Sequence, residues 1–477
     1  MNLRSLNPTR SRRDFLDNTL FGLGLGALSH LLGVEGRTAD SAPDALAPRQ
    51  PHFAPRAKNV IFLFQAGAPS QIDLFDPKPK LHEWNGQALP ESLAKELQLA
   101  FIQPTAKVLA SRRQFQPAGE SGIELSEWLP HTATIADEIC LVRSVRGESV
   151  NHHPGQSLLM TGSPLPGRPT VGSWITYGLG SESRDLPGFV VLKTGSSTQG
   201  STGNWTNGFL PSNYQGVLLR SEGDAILHLS NPSGVTPDMQ RADLDLIREL
   251  NREHLARTGD QEIAARIESY ELAFRMQASA PSLIDISDEP EPVREMYGLN
   301  ADETRDYGMT CLLARRLIER GVRFVLNQHA QWDHHSNLDQ GLSQKCRTTD
   351  QPVAALVKDL KQRGLLDETL VIWAGEFGRT SLAEWRNPSD PANIGRDHHA
   401  DGFSVWLAGG GVKGGQIVGR TDELGLTVED DPVHIHDLQA TVLHCLGLDH
   451  ERLTYRHIGR DFRLTDVGGT VVEAMLA

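Results

Sequence analysis

The sequence predicts an α/β fold, with a mainly parallel central sheet carrying helices on both faces. Three observations carry that expectation. Short runs that are apolar on both faces recur along the chain, as strands covered on both sides must be. Helix-period segments lie between them, giving helix-then-strand units over 306–326 and 350–373, the mark of parallel crossovers. Polar clusters sit at the ends of these runs, where the chemistry of such sheets is placed.

Taken in order, residues 1–40 read as an export signal of the twin-arginine type. Ser11-Arg-Arg-Asp-Phe-Leu16 precedes an apolar, Gly-rich stretch from Leu20 to about Val34, too short for a membrane span. Residues 41–57, rich in Pro and Ala, read as a linker with little ability to pack. The folded domain, 58–470, opens with the strand Asn59–Phe64, and the pattern returns at Phe189–Leu192, Val322–Leu326, Thr369–Trp373 and Phe403–Leu407. Helices are expected over Asp306–Arg320 and Asp350–Arg363, the second starting after Thr349-Asp350 and stopping at Gly364. Residues 225–300 read as a mainly helical, charged insertion.

Composition excludes several classes. Of 477 residues, 39% are hydrophobic and 22% charged, which rules out a disordered chain or a multi-spanning membrane protein. Sixty acidic residues against 46 basic ones leave a net charge of −14, so a nucleic-acid partner is not expected. Four Cys at 140, 311, 346 and 445 have no CxxC spacing, which excludes a Cys-type zinc site. The unusual count is 18 His, because imidazole is the commonest metal ligand and the neutral-pH acid–base group.

Eight of those histidines fall in the polar clusters. Asn151-His152-His153 precedes a helix-like stretch; Trp332-Asp333-His334-His335 follows the third strand; Gly375-Glu376-Phe377-Gly378-Arg379-Thr380 follows the fourth. Gly395-Arg396-Asp397-His398-His399 precedes the fifth. Carboxylates and imidazoles converging at one sheet edge suit a divalent ion: zinc, with manganese, calcium or iron as alternatives. His434-Ile-His436-Asp437 opens an apolar helix, where ligation and simple helix capping stand as two readings. Gln65 to Asp76, rich in small and turn-forming residues, reads either as a loop that lets a backbone approach a ligand or as a turn alone.

In their order these clusters resemble domain-of-unknown-function family 1501, a branch of the alkaline phosphatase and sulfatase superfamily. The resemblance runs from Asn59 to Gly469 and rests on Gly67-x-Pro-Ser-Gln-x-Asp-x-Phe-Asp-Pro-Lys-Pro79, Asn151-His152, Gly167-Arg-Pro-Thr-Val-Gly-Ser-Trp174 and Trp332-Asp333-x-His335. Gly375-Glu-Phe-Gly-Arg-Thr380, Gly395-Arg-Asp-His398 and Gly409-Gly-Gly-Val-Lys-Gly414 complete it. It implies an alkaline-phosphatase-like fold and a metal site at Asp333, His335 and His398. That site reads either as one-metal, with Asp397 beside the three ligands, or as two-metal, with Glu376 taking a second ion helped by Asp73 or Asp76. The sequence departs from the superfamily at Gln65, where a metal-binding Asp is usual, and at Phe377, where a His is usual. His152 falls close to the position of the covalent nucleophile. The formylglycine signature is missing, since Cys140-Leu-Val-Arg143 brings its Arg one residue early.

The function implied is an exported, periplasmic or extracellular, metal-dependent hydrolase of phosphate or sulfate esters, acting on a small-molecule or polysaccharide substrate. His152 would be nucleophile or acid–base, Ser70 an alternative hydroxyl, and Arg379 the anion clamp. The rival reading is a catalytically degenerate envelope or carbohydrate-binding protein on the same fold. An oxidoreductase accessory has no cofactor motif to support it.

Overall fold

The computed structural model describes residues 46–477 except 96, 196–199, 221–230, 233, 387–389 and 391–392. The proposed export signal lies outside the described residues, as does 41–45 of the linker segment. Among the described residues no helix is long and apolar enough to cross a membrane.

Among the described residues the central sheet has nine strands. In chain order these are β1 (Asn59–Gln65), β2 (Ile139–Arg146), β3 (Phe189–Thr194), β4 (Val217–Leu218), β5 (Phe324–His329), β6 (Thr369–Ala374), β7 (Phe403–Ala408), β8 (Gln416–Val418) and β9 (Val433–His434). Across the sheet the order is β8-β2-β7-β6-β1-β5-β3-β4, with β9 sharing the outer edge of β2 with β8. All seven residues of β1 are buried, and their alternation divides the core. Ile61 and Leu63 face one hydrophobic cluster; Val60, Phe62 and Phe64 face the other. The first is covered by α1 (Asp302–Glu319) and α2 (Leu338–Gln362). Over the second lie α3 (His152–Thr161), α4 (Val171–Leu179) and α5 (Ile435–Cys445).

The sheet is mixed, because β7 runs antiparallel to both its neighbours, β2 and β6. That one reversal has a direct consequence for the site. Residues just before β7 lie at the same sheet edge as residues just after β1, β5 and β6, so the 395–399 cluster joins the others although it precedes its strand.

Other differences from the sequence reading have local causes. Helix α2 begins at Leu338, twelve residues before the expected Asp350 cap, and carries Pro352 inside. Asp350 caps nothing in its own helix. Its carboxylate accepts hydrogen bonds from His131 N at 2.6 Å and from Thr132 N and Oγ1 at 2.9 and 2.6 Å. Strand β2 was not expected, its apolar run being broken by Arg143. Segment 46–57, expected to pack little, runs along the body: Arg49 N donates to Leu179 O, His52 N to Gly447 O, and Arg56 N to Cys445 O. Residues Pro237–Thr258 and Gln261–Ile284 form two long helices in the expected helical insertion.

Candidate metal centre

Asp333 stands at the middle of the cluster. It lies on the loop between β5 and α2, and its side chain is one-third exposed. His335 Nε2 lies 2.9 Å and His398 Nε2 3.3 Å from Oδ1, while His152 Nε2 lies 3.2 Å from Oδ2. All three imidazoles are buried. One ligand atom from each of these four residues falls within 4.8 Å of all the others. His152 comes from the first turn of α3, which follows β2. His398 comes from a two-stranded ribbon, Gly378–Glu384 with Gly395–His399, in which it faces Arg379 across the register.

What stands behind each imidazole fixes its tautomer. His152 Nδ1 lies 2.6 Å from Glu376 Oε1, His398 Nδ1 lies 2.6 Å from Val150 O, and His335 Nδ1 meets Glu384 Oε2. Each Nδ1 faces an oxygen acceptor and so carries the proton, leaving each Nε2 lone pair aimed inward. Glu376 is fully buried and is held in turn by Gly67 N, at 3.1 Å to both oxygens, and by Gln156 Nε2 at 3.0 Å. Gly67 has φ +112°, and a Cβ there would lie 2.6 Å from Asp333 N. Only glycine allows this contact between the two loops.

Lone pairs facing a carboxylate at these separations repel unless positive charge stands between them. Without an ion, protons supply it. Burial, the largest influence on His152, pushes its pKa down, but Asp333 and Glu376 outweigh it and raise it to about 9. His335 is also raised, Asp333 and Glu384 overcoming its burial. In His398 burial prevails and the pKa falls. Burial works to raise the Asp333 carboxyl, yet the three imidazoles and Arg379 hold it well below the carboxylate range.

The other sequence candidates are placed as follows. Arg379 is 1% exposed and its donors go to Ala68 O at 2.9 Å, Arg396 O at 3.0 Å, Gly67 O at 2.5 Å and Asp333 Oδ1 at 2.5 Å. It positions Asp333 and is not free to clamp an anion, as had been expected of it. Ser70 is not brought to the cluster, since its Oγ donates to Asp73 Oδ2 at 2.6 Å, and Asp73 pairs with Arg396 at 2.8 Å. Asp76 is likewise engaged, by Lys78 at 3.0 Å. Glu376 lies behind His152 rather than at the centre. Gln65 turns its amide to Tyr307 OH at 3.0 Å, and Phe377 stacks on His152 at 5.1 Å.

Asp397 is apart from the four-residue cluster. With His335 and Glu384 it forms a second compact group, but its Oδ2 accepts from Ala100, Phe101 and Ile102 N, and its Oδ1 from His398 N. A cation there would have to displace backbone donors. His434 and Asp437 resolve as helix caps: His434 Nδ1 accepts from His436 N at 3.1 Å and Asp437 Oδ2 from His434 N at 2.9 Å. Sequence reasoning missed Glu384 and Gln156. Reading 378–399 as an antiparallel ribbon would have found Glu384, which sits opposite Gly395.

The family of proteins described as "Protein of unknown function (DUF1501)" matches residues 57–476. The chain belongs to this family. No curated protein matches it. Among solved structures it is similar to the PsFucS1 sulfatase from Pseudoalteromonas sp., at 12% identity, covering 83% of this chain and 69% of that one with a TM-score of 0.35. It is also similar to the lipoteichoic acid synthase LtaP from Listeria monocytogenes, at 9% identity, 89% and 78% coverage and a TM-score of 0.32. A third is a protein in the alkaline phosphatase superfamily from Vibrio parahaemolyticus, at 11% identity, 86% and 72% coverage and a TM-score of 0.34.

Proposed function

We propose that this member of the family is an exported, metal-dependent hydrolase of phosphate or sulfate esters, with one divalent ion held by His152, Asp333, His335 and His398. The single observation that carries the reading is the convergence of three Nε2 lone pairs on one carboxylate, each imidazole backed by an oxygen acceptor. The residues fit an ion: His152 Nε2 is buried 3.2 Å from Asp333 Oδ2 yet forms no aligned hydrogen bond, which is costly for a polar atom unless something else satisfies it. Zinc suits the mixed nitrogen and oxygen donors. A bound ion supplies Lewis acidity, polarising an ester oxygen.

The chain's own residues do the rest. Glu376, Glu384 and Val150 O orient the imidazoles, and such outer partners are worth 10- to 100-fold (on the order of) in metal affinity. Arg379 fixes the Asp333 carboxylate, whose exposed face is the way in for substrate. His152, expected from sequence as nucleophile or acid–base, has its Nε2 at Asp333 and its Nδ1 on Glu376 and so becomes a ligand. With Ser70 committed to Asp73, water is the nucleophile of this scheme. Export through the twin-arginine machinery is part of the proposal and rests on Arg12-Arg13 with the apolar stretch that follows them.

Metal analysis of the purified full chain is expected to give one zinc or similar ion per molecule, lost in His335→Ala together with hydrolysis of aryl phosphates or sulfates. A chain without metal and inert toward phosphate monoesters, diesters and sulfates would sink the proposal. The rival reading, a degenerate envelope or carbohydrate-binding protein, is favoured by Gln65 and Phe377, whose side chains are taken up by Tyr307 and His152. Glycan binding that survives chelation and His335→Ala would select it.

A further inference from the structure

Phe101 is 57% exposed at the edge of a polar cluster. Its ring centre lies 5.3 Å from that of His335 and 5.4 Å from that of His398, edge to face in both cases. A lone exposed Phe is common on protein surfaces. Two devices set this one apart. Asp397, wholly buried, spends one oxygen on the N–H groups of Ala100, Phe101 and Ile102, at 3.0, 2.8 and 3.2 Å. Three donors on one carboxylate oxygen hold that turn of chain in a single place. On the other side the Arg386 guanidinium lies 5.8 Å from the ring centre. Arg386 Nε donates to Glu384 at 2.8 Å, and Glu384 also holds His335. The ring is thus tied to the imidazoles through two separate chains of contact, while most of its surface stays open.

We propose that Phe101 determines specificity. It is a platform on which a flat apolar face of the substrate's alcohol portion stacks, while the anionic ester head meets the cation that His152, Asp333, His335 and His398 would hold. The substrate class is then a ring-bearing phosphate or sulfate ester rather than a small alkyl one. Asp397 is a positioning residue that acts through the 100–102 turn. This inference rests on the ester-hydrolase reading above.

Non-hydrolysable probes separate the two. Calorimetric titration of the zinc-loaded full chain would compare phenylphosphonate with methylphosphonate, and benzenesulfonate with methanesulfonate. The pair that binds identifies the head as phosphoryl or sulfuryl. Within it, the phenyl compound is expected to bind roughly tenfold tighter, the scale of one aromatic contact. Phe101→Ala should keep the zinc and lose that preference; Phe101→Tyr should keep both. Asp397→Asn should lose the preference by freeing the turn. Equal affinity of the two members in the wild type, or a preference that persists in Phe101→Ala, overturns the proposal for Phe101 alone. Failure of all four probes to bind zinc-loaded protein overturns the ester reading beneath it.

Discussion

His329, one turn of chain before the cluster, shows how burial dictates charge in this part of the molecule. Its Nδ1 accepts a hydrogen bond from Trp332 Nε1 at 2.9 Å, so the ring must be neutral there. Burial pushes its pKa down from 6.5 to about 3. Between those values the unfolded chain takes up a proton that the folded one refuses. The stability tied to this group is therefore full above pH 6.5 and falls as the pH is lowered toward 3. Thermal unfolding followed from pH 7 to 4 should show a shallower loss of Tm in His329→Gln, whose amide oxygen can still accept from Trp332. An unchanged slope would refute the assignment. The residue scale is also where the sequence was most legible. Of the pairs 152/153, 334/335 and 398/399, the resemblance singled out His152, His335 and His398, and these three meet at Asp333. His334 instead packs against Gly341, with its pKa pushed down to about 3 by burial and Arg379. Gln65 and Phe377 were legible as departures but not as contacts, because which neighbour a side chain finds is not written in its spacing.

At the scale of elements, the two-stranded ribbon of Gly378–Glu384 and Gly395–His399 supplies Arg379, Glu384, Asp397 and His398 at once. Gly395 lies where a Cβ would come within 2.0 Å of the His335 carbonyl carbon. Gly395→Ala must therefore push the ribbon away from the loop that carries Asp333 and His335. Overpacking of this kind costs about 1–3 kcal/mol, and here the displaced atoms are the proposed ligands. The variant is expected to lose both thermal stability and zinc affinity, whereas Gly203→Ala, with nothing within 4 Å of its Cβ, should lose neither. Equilibrium zinc titration of the two variants checks this. The strands apolar on both faces were legible because burial on both sides leaves no polar positions. The antiparallel direction of β7 and the pairing of the ribbon were not, since periodicity carries no sign of direction.

On the scale of the whole molecule, the segment 46–57 is a strap rather than a free tether. Gly180 and Gly447, both at positive φ, make room for it: a Cβ on the first would lie 2.1 Å from Ala47 O, and on the second 2.5 Å from Phe53 O. Arg49 adds a bond from its guanidinium to Tyr214 OH at 2.9 Å. Composition alone hid this, because a Pro- and Ala-rich stretch without periodicity still packs when its backbone groups find partners. A chain starting at residue 58 should unfold several degrees below one starting at residue 45, with differential scanning calorimetry as the measure. Equal midpoints would return the segment to linker status.

The reversed strand β7 and its neighbours gather the proposed ligands from three stretches of sequence centred on 152, 334 and 398. No local fragment contains the set, and the unfolded chain has nowhere to keep an ion. If the proposed ion is bound, its capture would wait until β2, β5 and β7 are all in register, and its binding energy would be lent to the whole sheet. On the proposed reading, the compartment in which the chain folds would then be the one that chooses its metal.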